Sequence, residues 1–181
     1  MKSPNPEDLQ TGDIVLYSGT RLWSRVIRAF SKSKWSHVGI VLRYGQTSEP
    51  WVVEALEGKG VRFVPFRCWL AWGGEIGHGR ANRNVDTNIL AVSKLKLAAM
   101  WCETQIGKEY ASAWQFVRSF SFCWSRLRKL FGLKVDTDSN RFFCSELVAS
   151  ALFWNGLEIP KHAAKMTPGD VAALPYWEVT E

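Results

Sequence analysis

The order of the apolar segments limits the fold of this chain more than any other feature. Segments of strand length come early, and longer segments with helical spacing come mainly later. The sequence predicts short strands at residues 14–17, 37–42, 51–55, 60–65 and 76–80. It predicts helices at residues 23–30, from 86 or 88 to 106, at 113–131, and from 144 to a stop at Asn155-Gly156. Strands grouped together, with helices before and after them, indicate a single α+β domain spanning residues 1–181.

The chain is basic and rich in tryptophan, with a formal net charge of +6 and 10 tryptophans among 181 residues. Its positive side chains concentrate at residues 21–34 and 118–134, a distribution that attracts anionic partners such as nucleic acid, anionic lipid or the cell wall. The interleaved aromatic residues favour an anionic membrane surface and make nucleic acid the weaker expectation. A core helix with a solvated basic face explains residues 118–134 equally well.

The N-terminal residues lack the apolar core of a signal peptide, and no segment is apolar enough to cross a bilayer as a helix. These observations favour cytoplasmic synthesis, with membrane association or delivery to the cell wall by another route as the alternatives. The four cysteines lie far apart without a Cys-x-x-Cys pair, and the three histidines are scattered. This spacing favours reduced thiols and indicates neither a metal site nor a cofactor.

Cys144 is the candidate nucleophile, because it opens an apolar helix directly after the polar loop at residues 136–140. Several residues of that loop suit a helix N-cap. Unpaired N–H groups in the first helical turn favour the reactive thiolate, and the amide of Ser145, or that of Cys144 itself, is the candidate donor to a developing oxyanion. An inert buried cysteine is the competing interpretation.

His37 is the candidate base, and Glu54 is the candidate carboxylate behind it. His37 opens an apolar strand, and a histidine titrates in the range that suits proton transfer, although His78 and His162 compete for the role. Glu54 interrupts another apolar strand, where a carboxylate is costly to bury without a partner such as an imidazole. A buried structural histidine and a glutamate facing solvent are the alternatives.

Five short motifs in a particular order resemble the circularly permuted branch of the NlpC/P60 papain-like superfamily, in particular its YiiX/YebB-like group. The motifs are Gly12-Asp13-Ile14-Val15-Leu16, Ser36-His37-Val38-Gly39-Ile40-Val41, Val52-Val53-Glu54-Ala55, Gly107-Lys108-Glu109-Tyr110 and Phe143-Cys144-Ser145-Glu146-Leu147-Val148. In this branch the histidine precedes the cysteine in the chain, as it does here. The resemblance implies a papain-like fold, with a small antiparallel sheet packed against the helix that carries the cysteine.

The resemblance also implies a set of roles: Cys144 as nucleophile, His37 as base, Glu54 as the residue that orients His37, and Tyr110 beside the cleft. We therefore expect a thiol hydrolase that acts on an amide or ester bond through a thioester. Cell-wall peptide is the first expected substrate. A lipid acyl hydrolase or acyltransferase at a membrane surface, and an inactive membrane-binding module, are the alternatives. Residues 113–140 depart from shorter relatives and are expected to form a lid or a surface-binding insertion.

Overall fold

The computed structural model describes residues 3–45, 49–82, 89–111 and 141–180, apart from the side chains of Trp23, Phe30 and Ile89. The described strands are β1 Ile14–Ser18, β2 His37–Leu42, β3 Trp51–Leu56, β4 Gly60–Pro65, β5 Glu75–Ala81, β6 Glu109–Tyr110, β7 Arg141–Phe142 and β8 Trp177–Thr180. The described helices are α1 Leu22–Ser31, α2 Phe66–Leu70, α3 Ile89–Glu103, α4 Cys144–Trp154 and α5 Pro168–Ala172. Short 3-10 turns occur at Pro6–Asp8 and Ala163–Lys165.

Six strands form one sheet in the order β4-β3-β2-β1-β5-β8, and every neighbouring pair is antiparallel. The strands β3 and β4 form a hairpin that pairs Glu54 with Arg62. The two-residue strands β6 and β7 pair in parallel, and they bring Tyr110 beside Phe142. This sheet with its helices confirms the predicted α+β class.

Apolar side chains cover both faces of the central strands, which explains why every residue of β2 is buried. On one face, Ile14, Leu16, Val38 and Ile40 pack in a core shared with α3, α4 and α5. On the other face, a smaller cluster is built around Trp69 of α2; its further members are Leu9, Val15, Val41, Val52, Phe66 and Ile76. A sheet buried on both faces reads as continuous apolar strands, which is the pattern that predicted β2 from the sequence.

The predicted bounds hold for β2 and β4, and β1, β3 and β5 are each longer than predicted by one or two residues. The sequence Thr167-Pro168-Gly169-Asp170 predicts a capped turn, and the structure confirms it: Thr167 Oγ1 accepts from the N–H of Asp170 at 3.1 Å, and Asp170 Oδ2 accepts from the N–H of Thr167 at 2.7 Å. The helix predicted from residue 86 or 88 to 106 corresponds to α3, which ends at Glu103; its predicted start lies outside the described residues. Turn hydrogen bonds continue beyond it to Ile106, and Gly107 has the left-handed conformation that suits the residue after a helix, with φ of 91°.

Several features lie outside the sequence predictions or outside the described residues. The sequence did not predict α2, β6, β7 or β8. Three predictions lie wholly outside the described residues: the helix at 113–131, the basic stretch at 118–134 and the insertion at 113–140. Within the described ranges, every helix is too short or too polar to span a bilayer.

The packing of α4 generates a test of stability. Leu152 is fully buried in the core shared by α4 and the sheet, whereas Leu97 on α3 is 52% exposed. We expect Leu152→Ala to lower the free energy of unfolding by about 2–5 kcal/mol, because it leaves a cavity. We expect the matched change Leu97→Ala to stay within about 0.5 kcal/mol. Urea denaturation followed by circular dichroism measures both, and equal losses would contradict this description of the core.

Candidate active site

The helix α4 carries Cys144 at its first position. Its apolar residues Leu147, Val148, Ala151 and Leu152 bury one face against α3 and the sheet, which fixes where the helix begins. The N-cap is Phe143, with extended φ and ψ of −77° and 160°, and Glu146 Oε2 accepts a hydrogen bond from its N–H at 3.3 Å. The expectation that a polar residue of 136–140 caps this helix is therefore wrong, because β7 stands between that loop and the helix.

Cys144 is 4% exposed, and it lies in the turn where helical N–H groups lack intrahelical acceptors. Ser145 occupies the next position, and its hydroxyl donates to the carbonyl oxygen of Met166 at 2.6 Å. The Ser145 side chain thus ties the helix to the segment before α5. The backbone N–H groups of Cys144 and Ser145 are therefore candidates for binding an oxyanion.

His37 and Glu54 meet through a short contact between neighbouring strands. His37 Nε2 lies 2.6 Å from Glu54 Oε2, and His37 is 8% exposed. Glu54 is fully buried, which rules out the alternative of a glutamate facing solvent. The carboxylate therefore fixes the orientation of the imidazole ring and leaves Nδ1 as its second nitrogen.

Cys144 interacts electrostatically with the His37 ring and the ring contacts Glu54, so side chains from α4, β2 and β3 act on one another in one site. Burial alone would lower the pKa of His37. The charge and hydrogen bond of Cys144, together with those of Glu54, outweigh burial and raise the pKa of His37 to about 10. This shift favours the protonated form of the His37 imidazole.

Two tryptophans that the sequence analysis missed surround the imidazole. The ring centroids of Trp69 and Trp72 lie 5.2 Å and 5.7 Å from that of His37, and the two indoles stack on each other at 5.0 Å. Their close approach needs Gly39, because a Cβ there would lie 2.4 Å from Val52 Cγ1 and 3.0 Å from Trp69 Cζ2. The indoles exclude water from one side of the His37–Glu54 contact.

Arg62 is the second feature that the sequence analysis missed. Its Nε and Nη2 donate to Glu54 Oε1 at 2.9 Å and 2.7 Å, while the other carboxylate oxygen contacts His37. The two predicted strands at 51–55 and 60–65 contained the signal, since neighbouring strands that turn at residues 57–60 place residue 62 opposite residue 54.

Tyr110 lies on the Cys144 side of the site. Its ring packs edge-on against Phe143 with centroids 5.8 Å apart. Burial, followed by the nearby charges of Cys144 and Glu57, raises the pKa of Tyr110 well above its usual value. The hydroxyl therefore stays protonated and able to donate a hydrogen bond.

The competing histidines have other partners. His78 Nε2 lies 2.9 Å from Asp13 Oδ2, and Asp13 also accepts from the N–H of Ala81 at 2.9 Å, so this pair joins β1 to β5. His162 caps a 3-10 turn and accepts from the N–H of Ala164. In the described ranges, no group of three or more His, Cys, Asp or Glu side chains is arranged to hold a metal ion.

Comparison with known proteins places this geometry in context. The crystal structure of a protein described as metalloprotein YiiX, from Escherichia coli O157:H7, has a TM-score of 0.64 and 19% identity, over 96% of this chain and 97% of that one. At this identity the likeness shows the fold alone. The protein named uncharacterized protein YiiX of Escherichia coli K12 is 26% identical over 142 residues, which are 77% of this chain but 55% of that protein.

The family model that matches residues 8–136 is described as permuted papain-like amidase enzyme, YaeF/YiiX, C92 family. The match contains His37 and Glu54 and ends before Cys144. It spans well over half of the chain, and it confirms the resemblance and the papain-like fold predicted from the sequence. This chain belongs to the family of permuted papain-like amidases.

Proposed function

We propose that this chain is a thiol amidase in which Cys144 attacks an amide carbonyl, His37 moves the proton and Glu54 orients His37. The observation that carries the proposal is the 2.6 Å contact between the His37 ring and Glu54, together with the electrostatic effect of Cys144 on that ring. Membership of an amidase family supports an amide rather than an ester substrate. The role of Cys144 as nucleophile, the amide as the bond that is cleaved and the identity of the substrate all belong to this proposal.

The first half of the reaction forms a thioester. His37 Nδ1 takes the thiol proton, and Cys144 Sγ attacks the carbonyl carbon to form a tetrahedral oxyanion. The N–H groups of Cys144 and Ser145 stabilise that oxyanion, and the protonated Tyr110 hydroxyl lies on the same side of the site. His37 then gives its proton to the amine nitrogen, the C–N bond breaks, and the amine leaves.

The second half hydrolyses the thioester. Water loses a proton to His37 and attacks the same carbonyl carbon, and the Cys144 thiolate leaves as the carboxylic acid forms. An amine in place of water would make the chain an acyltransferase. Cell-wall peptide remains the first proposed substrate, because a peptide amide fits this chemistry.

Lipid at an anionic membrane is the second candidate, and α1 is the described element that favours it. Leu22 is 73% exposed at its start, beside the exposed Arg21 and Arg25. An apolar side chain flanked by arginines on a helix surface suits the boundary between headgroups and acyl chains.

Thiol reactivity tests the role of Cys144. Among the described cysteines, we expect iodoacetamide at pH 6 to label Cys144 before Cys68, because only Cys144 has both an imidazole and a helix N-terminus. Cys102 should react last, since it is fully buried and burial raises the pKa of its thiol. Peptide mapping after timed labelling gives the three rates. His37→Ala should remove the preference for Cys144; an unchanged rate in that variant would contradict the proposal.

The titration of His37 tests the electrostatics of the site. Its pKa of about 10 lies above the ordinary 6.5, so its protonated form stabilises the fold fully below pH 6.5 and loses that effect as the pH rises through 10. Carbon-13 NMR of the ring should show this titration. Cys144→Ala and Glu54→Gln should each lower the pKa of His37, whereas Glu178→Gln on β8 should leave it unchanged. A ring that titrates near 6.5 in the unchanged protein would refute the ion pair.

Vesicle binding tests the lipid candidate. If α1 contacts a membrane, the protein should sediment with vesicles of phosphatidylserine and phosphatidylcholine and be released as salt rises, because each basic residue contributes roughly 1 kcal/mol. Arg21→Glu with Arg25→Glu should weaken this binding, and Arg67→Glu should have a smaller effect. If vesicle binding did not change with salt or with the charge reversals, the lipid candidate would be contradicted and α1 would be an ordinary surface helix.

A further inference from the structure

The carboxylate of Glu54 is shared between two partners, one on each side of β3. Oxygen Oε2 contacts His37 on β2, and oxygen Oε1 accepts two hydrogen bonds from Arg62 on β4. Glu54 is fully buried, whereas the side chain of Arg62 is 28% exposed. Arg62 therefore reaches from the protein surface to a carboxylate that has no contact with water.

We propose that Arg62 is a positioning residue for catalysis, which keeps the Glu54 carboxylate ionised and turned towards His37. The inference rests on the proposed function, because it assigns Arg62 a role in the same proton transfer. Arg62 touches neither Cys144 nor the imidazole in any described hydrogen bond, so its effect passes through Glu54.

The energetic argument starts from burial. An ionised carboxylate removed from water is strongly destabilised unless a charge and hydrogen bonds replace its hydration. Arg62 supplies a permanent positive charge and two N–H donors, which a lysine cannot match in geometry. His37 alone could instead pass its proton to Glu54, and the contact would then lie between two neutral groups.

The geometric argument concerns rotation of the carboxylate. Two donors from the Arg62 guanidinium fix Oε1 of Glu54. Because the carboxylate is planar, its other oxygen, Oε2, is then held 2.6 Å from His37 Nε2. Among the described residues, the ionisable groups that interact with this pair are Arg62 from β4 and Cys144 from α4, while Tyr110 from β6 interacts with Cys144. Among these groups, Arg62 alone carries a positive charge that does not change during the reaction.

The experiment measures acylation of the full chain by p-nitrophenyl acetate, as the burst of p-nitrophenol at a series of pH values. The variants are Arg62→Met, which removes charge and donors; Arg62→Gln, which removes the charge; and Arg62→Lys, which keeps it. The matched control is Arg67→Met, since Arg67 pairs with Glu49 on the surface and its side chain is 69% exposed. Thermal melting reports folding of each variant.

We expect Arg62→Met and Arg62→Gln to slow acylation at pH 7 by about tenfold or more. We also expect the acid limb of the plot of acylation rate against pH to move to a higher pH by about 1 unit, because a carboxylate that loses a neighbouring cation is protonated more easily. Arg62→Lys should keep the acid limb at its original pH and retain part of the acylation rate. Arg67→Met should match the unchanged protein in both. If the role of Arg62 were purely structural, its replacement would lower the acylation rate equally at every pH.

Three results would overturn the inference: an unchanged profile in all Arg62 variants, a uniform loss of rate without a shifted limb, or failure of all three variants to fold. If only Arg62→Met fails to fold, Arg62→Gln and Arg62→Lys decide. Cys144→Ser separates the two proposals. A burst that survives this change refutes the proposed function, whereas a burst that Cys144→Ser abolishes and Arg62 changes do not affect refutes only the role of Arg62.

Discussion

The buried carboxylate of Glu54 is the constraint on which the rest of the site depends. A charge with no exposure to water needs partners on all sides, and the sheet provides them from the two strands that flank β3. His37 satisfies one oxygen and Arg62 the other. The contact orients the imidazole, and an imidazole oriented towards Cys144 is what the proposed chemistry requires.

Elements on both faces of the sheet surround the contact between His37 and Glu54. On one face, α4 packs against β2 and β3 and brings Cys144 to the imidazole. On the other face, Trp69 and Trp72 cover the ring and exclude water from it. Gly39 makes room for that cover, since any larger residue would meet Val52 and Trp69. Although His37 and Glu54 precede Cys144 in the chain, the fold thus brings the proposed base, carboxylate and nucleophile into one site.

Local patterns predicted most of the sheet and the three central residues of the proposed site. Alternation and turn chemistry are properties of neighbouring residues, so β2 and β4 could be located to the residue. The five-residue helix α2 is too short to show helical periodicity, and the pairing of β8 with β5 joins distant segments. Trp69 and Trp72 were missed for the same reason, because they meet His37 only through the tertiary fold.

A double-mutant cycle on His37 and Glu54 tests the central claim most directly. The measured quantity is the rate of Cys144 acylation by p-nitrophenyl acetate in the unchanged protein, His37→Ala, Glu54→Gln and the double variant. If Glu54 acts only by orienting and charging His37, Glu54→Gln will slow the unchanged protein and have no further effect once His37 is gone. Losses that add in the double variant would contradict the account, because Glu54 would then act independently of the imidazole.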